Sequence, residues 1–137
     1  MKRIGPLLRL EYGEELHTQL NAYARSETLA GAWLDGLGGT TKVTLGFYDL
    51  PAKQYQWKTF DMPLEIISLA GNLSIVDGEP VWHLHGTFSG PDYQAIGGHV
   101  KELVVGPTCE LRITPIEQRL TRAYDEKIGL KLLSPAE

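Results

Sequence analysis

The segment that most clearly decides the fold is residues 79–100, EPVWHLHGTFSGPDYQAIGGHV. Apolar and polar residues alternate through residues 81–88, which is typical of a strand with one face in the core and the other face exposed. The core face of this strand carries Trp82, Leu84, Gly86 and Phe88. Residues 89–92 are rich in turn formers and can return the chain to a second strand that begins at His99. If the chain doubles back through residues 89–92, the second strand can bring His99 toward the first.

Three of the four histidines of the chain lie in this segment. His83 and His85 are two residues apart, so an extended strand places both side chains on the face away from the core, about 6.6 to 6.8 Å apart along the strand. His99 follows Gly97-Gly98, and the missing side chains allow its strand to approach a neighbour closely. Three neutral imidazoles with a fourth position for water are typical of an open zinc site.

The sequence thus predicts that His83, His85 and His99 bind one divalent metal ion. Zinc is the metal that we expect, although imidazole also suits nickel, copper and iron. The alternative is that these are ordinary polar residues on the exposed face of a sheet. A His-x-His pair alone does not decide between the two interpretations, and the third histidine after two glycines favours the metal site.

Three other positions bear on function, although none identifies a catalytic residue. Glu65 interrupts an apolar run, so it is a candidate for a carboxylate that orients a metal-bound imidazole or acts as a base. A surface glutamate at the end of a strand is the alternative. Cys109 alternates with Leu111 and Ile113, which indicates a core thiol rather than a nucleophile. His17 lies in a helical segment and is interpreted as an ordinary surface histidine.

Around the histidine segment the chain alternates between short predicted strands and turns. The predicted strands are residues 6–10, 42–49, 55–59, 64–76 (broken at Gly71-Asn72), 81–88, 99–105 and 108–113. Asp77-Gly78 is a strong hairpin signal. Gly36-Leu37-Gly38-Gly39 is interpreted as a turn, because it lacks the third glycine of a dinucleotide-binding fingerprint.

The remaining regular structure is predicted to be helical. Apolar residues recur at helix spacing in residues 16–24, after Glu14-Glu15, whose charges suit the positive end of a helix dipole. Residues 116–128 are predicted to add a short second helix. Together these elements predict an α+β fold with a largely antiparallel sheet and one main N-terminal helix packed on it. At this length the chain is predicted to form a single domain, residues 1–137.

Composition and charge restrict the partners and the compartment. The net charge of −4, from 13 basic and 17 acidic residues, argues against DNA as a partner, because polyanion binding needs a concentrated basic surface. The N-terminus lacks a signal-peptide pattern and no stretch approaches eighteen uncharged apolar residues, so we expect neither export nor a membrane span. Cys109 is the only cysteine, which excludes an intrachain disulfide and favours a reducing compartment. We expect a cytoplasmic protein.

Several motifs, taken in their order along the chain, resemble those of a known family. They are residues 64–72 (LEIISLAGN), His83-Leu84-His85, Gly97-Gly98-His99, and the closing Arg122-x-x-Asp125 followed by Gly129-Leu130. With them the chain resembles the plant and prokaryote conserved (PPC) domain, also called domain of unknown function 296, over a core of about residues 9–132. The resemblance implies an α+β domain that assembles into a homotrimer.

The same resemblance brings in a nucleic-acid hypothesis. Prokaryotic members of the family are described as having a PD1-like DNA-binding motif, and plant members carry the domain beside an AT-hook. This sequence has no Arg-Gly-Arg-Pro hook, and Met62-Pro63-Leu64 stands where plant members typically have Gly-Arg-Phe. Cupins also use His-x-His and a later histidine, but residues 86–90 lack the glutamate of the cupin motif.

Two functions from different classes follow from these observations. The first is a metal-binding homotrimer, with zinc as the cofactor, for which enzymatic action on a small molecule stays open, since a three-histidine zinc site lowers the pKa of bound water to about 7, enough for hydrolysis or hydration. The alternative is a DNA-binding or regulatory protein. The description of the family favours this alternative, whereas the net charge of −4 argues against it. A purely structural trimer is a third hypothesis. No feature of the sequence identifies a substrate.

Overall fold

A computed structural model describes residues 1–134 of the protein. In this structure the chain is built mainly from β-strands. In chain order the elements are β1 (Lys2–Ile4), β2 (Leu7–Glu11), α1 (Leu16–Ser26), β3 (Ala32–Asp49), β4 (Gln54–Phe60), β5 (Leu64–Val76), β6 (Glu79–Ser89), β7 (Ala95–Pro115), β8 (Thr121–Asp125) and β9 (Leu130–Ser134). β3 and β7, with 18 and 21 residues, are the longest strands and pair along most of their length.

These strands form one sheet within the described part of the chain. The order along its main path is β1-β2-β7-β3-β5-β8-β9, while β4 adds to β3 and β6 joins β5 to β7. Since β3 also pairs with both β5 and β7, the four strands β3, β5, β6 and β7 pair in a closed ring. Buried side chains from all four strands belong to a single core, among them Leu34, Leu69, Leu84 and Leu103.

The predicted α+β class, with a helix packed on a largely antiparallel sheet, is wrong. Strands make up 66% of the structure, and the single helix found in residues 1–134 has 11 residues. The sheet is mixed, because β5 and β8 run parallel where Ile75 pairs with Thr121. The strand content exceeds the prediction because one segment interpreted as a turn and another interpreted as a helix are strands.

The glycine-rich residues 36–39 are the segment that was predicted to be a turn. They lie inside β3, between β5 and β7. A Cβ on Gly38 or Gly39 would overlap the backbone of β7 at the carbonyl oxygens of Thr108 and Gly106. The glycines therefore serve a close approach of two strands rather than a reversal of the chain.

Two further predicted interruptions are absent, and one predicted turn is present. β5 continues through Gly71-Asn72, and β7 continues through Gly106-Pro107, so the predicted strands 99–105 and 108–113 are one strand. The predicted hairpin at Asp77-Gly78 is confirmed. It joins β5 to β6, and both of its residues have positive φ, as a tight two-residue turn requires.

The predicted N-terminal helix is confirmed, and it begins directly after Glu15. The side chain of Glu15 accepts hydrogen bonds from the backbone N–H groups of His17 and Thr18 and so caps the first turn. The buried face of the helix packs against β6 and β7 through Leu16, Leu20 and Ala24. No helix in the described residues is long and apolar enough to cross a membrane.

Residues 116–128 do not form the predicted second helix. β8 and β9 make an antiparallel hairpin, closed by a turn in which Gly129 has φ +82°. The backbone of β8 pairs with β9 and also meets β5 at Ile75, and this tertiary pairing outweighs a weak local helix preference. The hairpin places Arg122 beside β5, close to the histidine segment.

Candidate metal centre

The three histidines of residues 79–100 converge on one point of the sheet. In the register of β6 with β7, His85 lies directly opposite His99, and His83 is two residues away on the same face of β6. Each residue offers one ring nitrogen, and these three atoms lie within 4.8 Å of one another. Nε2 of His83 is 3.1 Å from Nε2 of His85. The structure thus brings together all three residues that the sequence indicated.

The opposite face of β6 holds the histidine side chains in this orientation. Trp82, Leu84 and Phe88 are buried in the core, as the alternation predicted. His83 and His99 are half-buried, and His85 is exposed. A shift of β6 by one residue would turn the histidines into the core and the large apolar side chains into solvent, so burial fixes the register.

Gly97 and Gly98 let β7 fit between two neighbouring strands next to His99. A Cβ on Gly97 would lie 2.8 Å from the carbonyl oxygen of Gly86 on β6, and a Cβ on Gly98 would lie 2.8 Å from that of Gly46 on β3. Real Cβ atoms essentially never make contacts below 3.0 Å. The close approach that the sequence predicted from these two glycines is therefore present.

Two aromatic residues of β4 cover the imidazole of His99. The ring centroids of Tyr55 and Trp57 lie 4.9 Å and 6.0 Å from that of His99, and the two aromatic rings stack at 4.6 Å. Gly46 makes room for them, because a Cβ at that position would overlap both rings. The alternation of Tyr55 and Trp57 is visible in the sequence, but the pairing of β4 with β3 that brings them to His99 is not.

Arg122 is the neighbour of the site that the sequence analysis missed. Its Nε donates to Oγ of Ser74 and its Nη2 donates to Oδ1 of Asn72, both at 2.8 Å, while Nη1 donates to the carbonyl oxygen of Lys131 at 3.2 Å. Asn72 is paired with His83 across β5 and β6, so the guanidinium is held next to the histidines. The closing Arg122-x-x-Asp125 motif was the available signal, but the sequence does not show that the tail folds over β5.

Burial favours the neutral form of two imidazoles of this site, those of His83 and His99. Burial, together with the neighbouring His83 and His85, lowers the pKa of His99 to about 4. Burial also lowers the pKa of His83, with further contributions from the charge of Arg122 and from His85. The folded protein therefore holds His99 unprotonated at pH values where a free imidazole, with a pKa near 6.5, is charged. The unprotonated form is the one that binds a metal.

The donor set fits zinc or a similar divalent metal. Three imidazoles with room for a further ligand are the composition of an open zinc site. Nδ1 of His99 is buried without a hydrogen-bond partner among the described residues, a costly state for a polar atom unless something binds it. No carboxylate of residues 1–134 joins the cluster, so calcium and magnesium, which need oxygen ligands, fit poorly.

The structure does not bring Glu65 to the histidines. Glu65 is exposed and lies opposite Ser89 of β6, whereas His85 lies opposite Ala70. Five residues of strand separate Glu65 from Ala70, which corresponds to roughly 16 Å. No contact in this structure therefore supports a role for Glu65 in orienting a metal-bound imidazole.

The other two residues considered from the sequence also lie outside the cluster. Cys109 is completely buried, and burial raises the pKa of its thiol to about 12. It is the core thiol that the alternation predicted, and it stays protonated near neutral pH. His17 lies on α1, where its Nδ1 is 3.6 Å from Oε1 of Glu15, so this histidine belongs to the start of the helix.

Comparison with known families gives one match over most of the sequence. The profile of the Plants and Prokaryotes Conserved (PCC) domain matches residues 6–117. This range contains all three histidines of the cluster and corresponds to the family that the sequence motifs resemble. No curated protein sequence matches the chain.

Solved structures similar to nearly the whole chain include the following three. A metal-containing protein from Archaeoglobus fulgidus is 34% identical, with 93% of this chain and 91% of that chain covered and a TM-score of 0.88. A protein from Ralstonia eutropha JMP134, provisionally named as DNA-binding, is 32% identical, with coverages of 98% and 95% and a TM-score of 0.89. A protein from Bacteroides thetaiotaomicron with the same provisional name is 28% identical, with coverages of 97% and 94% and a TM-score of 0.90.

Proposed function

Since the chain belongs to the Plants and Prokaryotes Conserved (PCC) domain family, we propose that it is a metal-binding protein of that family, with zinc held by His83, His85 and His99. The observation that carries the proposal is the convergence of three imidazole nitrogens within 4.8 Å of one another. The similar protein from Archaeoglobus fulgidus, which is described as metal-containing, supports it. Three protein ligands leave a position open, so the ligand class that we propose is a small molecule.

Zinc titration of the metal-free protein tests the proposal. After treatment with a chelator, the protein is expected to bind about one zinc ion per chain in a calorimetric titration, because three imidazoles converge on one point. Magnesium serves as the matched control and is expected to bind far more weakly, because it requires oxygen ligands. A protein that binds no zinc, or binds both metals equally, would contradict the proposal.

We also propose that the protein is a homotrimer, as the family resemblance implies. Large apolar side chains remain exposed on adjacent strands of the single chain: Leu37 on β3 is 54% exposed and Ile67 on β5 is 56% exposed. Trp33, on the same strand as Leu37, is 46% exposed. Large apolar side chains exposed on neighbouring strands are typical of a protein–protein interface, and a second and third copy of the chain would cover them.

Light scattering coupled to size exclusion measures the assembly directly. The expected mass is close to three times the 15.2 kDa of the chain, and it should stay constant when the protein is diluted tenfold. The chelator-treated protein provides the comparison, because it shows whether assembly depends on the metal. A mass near that of one chain at micromolar concentration would disprove the trimer.

DNA binding is the second candidate function, and two observations bear on it in opposite directions. Two of the similar structures carry a provisional DNA-binding name. The net charge of this chain is −4, however, and Lys2-Arg3 is its only adjacent basic pair. Several basic residues are also neutralised on the surface, since Arg25, Lys42 and Arg112 pair with Glu79, Glu102 and Asp35. A free basic surface for phosphates is therefore not evident in residues 1–134.

We expect no tight DNA binding at physiological salt. Fluorescence anisotropy with a labelled duplex should give a dissociation constant weaker than about 1 µM near 0.15 M salt, because few phosphate contacts can form. The zinc-loaded and metal-free forms should behave alike in this measurement. Submicromolar binding that weakens steeply with salt concentration would instead establish the DNA-binding function.

A further inference from the structure

A pocket of about 360 Å³ opens beside the three histidines. His83 and His99 contribute to its lining, and so does the guanidinium-bearing Arg122. Much of the remaining wall is aliphatic, from Val76, Val81, Leu130 and Leu132. A concave space of this size, mainly apolar with a few polar groups, is typical of a site for a small organic molecule.

Arg122 has hydrogen-bonding capacity left in this pocket. A guanidinium carries five N–H groups, one on Nε and two on each Nη. Three of them are used, by Ser74, Asn72 and the carbonyl group of Lys131. One N–H therefore remains on Nη1 and one on Nη2, and two donors are the number that the two oxygens of a carboxylate take up in a bidentate contact. The three bonds that are made hold the guanidinium rigidly in place.

The positive charge of Arg122 is not compensated within the described part of the chain. Arg122 forms no salt bridge in residues 1–134, and no aspartate or glutamate lines the pocket there. The ammonium group of Lys131, the other basic lining residue, already pairs with Asp77 at 3.0 Å. Arg122 is half-buried, so its guanidinium is partly removed from water, and this burial lowers its pKa. A partly desolvated cation attracts an anion more strongly than an exposed one.

We propose that this pocket binds a small carboxylic acid with an apolar body. The two remaining N–H groups of Arg122 bind the carboxylate, and the body packs against the aliphatic wall formed by Val76, Val81, Leu130 and Leu132. The inference rests on the proposed metal site, because the charge of a metal bound by the histidines adds to that of Arg122 in attracting the same anion.

A carboxylate suits the pocket better than a phosphate group. A carboxylate is planar and is satisfied by two parallel N–H donors, whereas a phosphate presents three oxygens that need more donors than Arg122 has left. Four of the ten residues that line the pocket are aliphatic, and this part of the wall offers no hydrogen bond to the additional oxygen. Leaving a buried charged oxygen without a partner is costly, so the pocket selects against phosphate.

Calorimetric titration with phenylacetate tests the inference, with the neutral phenylacetamide as the matched probe. Zinc-loaded wild-type protein is expected to bind phenylacetate at least tenfold more tightly than phenylacetamide, because only the acid carries the charge that Arg122 and the metal attract. Inorganic phosphate is expected to bind more weakly than phenylacetate. Metal-free protein should bind phenylacetate more weakly than the zinc-loaded form but should still prefer it over the amide.

Three variants identify the group responsible. Arg122→Gln is expected to bind phenylacetate at least tenfold more weakly at matched zinc occupancy. The phenylacetate affinity of Arg122→Lys should lie between those of the wild type and Arg122→Gln, because lysine keeps the charge but lacks the fixed fork of guanidinium donors. Arg122→Lys also provides the test if Arg122→Gln folds poorly. Arg119→Gln removes the same charge from an exposed arginine that lies outside this pocket, and it should bind like the wild type.

The outcomes separate this inference from the proposal on which it rests. Equal binding of acid and amide, or equal binding by the wild type and Arg122→Gln, would overturn the inference while leaving zinc binding intact. Tighter binding of phosphate than of phenylacetate would also overturn it. A wild type that binds no zinc would overturn the metal site alone, since the preference for the acid and its dependence on Arg122 can still be measured on metal-free protein.

Discussion

His85→Ala is expected to lower the zinc content of the purified protein from about one ion per chain to a small fraction of that value. His85 is the most exposed of the three histidines, so its loss removes an imidazole with little damage to the core. Changing a residue that only hydrogen-bonds a metal-binding side chain typically costs 10- to 100-fold in metal affinity, so losing an imidazole that binds the metal itself should cost at least about 100-fold. Elemental analysis after dialysis, together with competition against a chelator of known affinity, measures both quantities.

His17→Ala is the matched control for this prediction. It removes the same side chain from α1, where the histidine contacts Glu15 and takes no part in the cluster. Its zinc content should equal that of the wild type. Urea denaturation of metal-free His85→Ala should give a stability within about 0.5 kcal/mol of metal-free wild type, as for most surface changes. Equal zinc content in His85→Ala and wild type would show that these are ordinary sheet histidines.

The histidine cluster was largely accessible from the sequence because its geometry is local. The alternation around Trp82 and Leu84 places His83 and His85 on one face whatever the rest of the fold does. His99 was the less certain member, since its place opposite His85 depends on the register of β7, and only its two preceding glycines indicated a close approach. The position of Arg122 next to the histidines could not be predicted, because it depends on the β8–β9 hairpin, which pairs with the sequence-distant strand β5.

The errors in the fold prediction have a common physical origin. Glycines indicate either a reversal of the chain or a close approach of another backbone, and the sequence alone does not distinguish the two. Residues 36–39 were assigned to a turn, although they lie in a strand that is packed between β5 and β7. Residues 116–128 show neither a clear helical periodicity nor a clear strand periodicity, and tertiary contacts decide that this segment pairs with β5. Strand content was therefore underestimated at the points where strands touch most closely.

Gly71→Ala is expected to destabilise the protein by roughly 3 kcal/mol or more, the upper end of what overpacking a core costs. Gly71 is buried in β5, between Leu34 of β3 and Leu84 of β6. A Cβ at this position would overlap the carbonyl oxygen of His83 and would lie 2.7 Å from Cδ2 of Leu84. Since β5 is paired on both sides, it cannot move away without breaking one of the two ladders. Urea denaturation of the metal-free protein measures the loss.

The same substitution should also weaken zinc binding, because the overlap is with the backbone of His83, one of the three histidines that we propose hold the metal. Pushing β6 away from β5 displaces His83 relative to His99, so Gly71→Ala is expected to bind zinc at least tenfold more weakly, even where it remains folded. Gly90→Ala is the matched control: it makes no contact closer than 3.4 Å and should change stability by less than about 0.5 kcal/mol. If Gly71→Ala unfolds at the same urea concentration as Gly90→Ala, the close packing of β5 on β6 does not determine the stability of this sheet. If it loses stability but keeps full zinc affinity, the position of His83 is set by β7 rather than by β5.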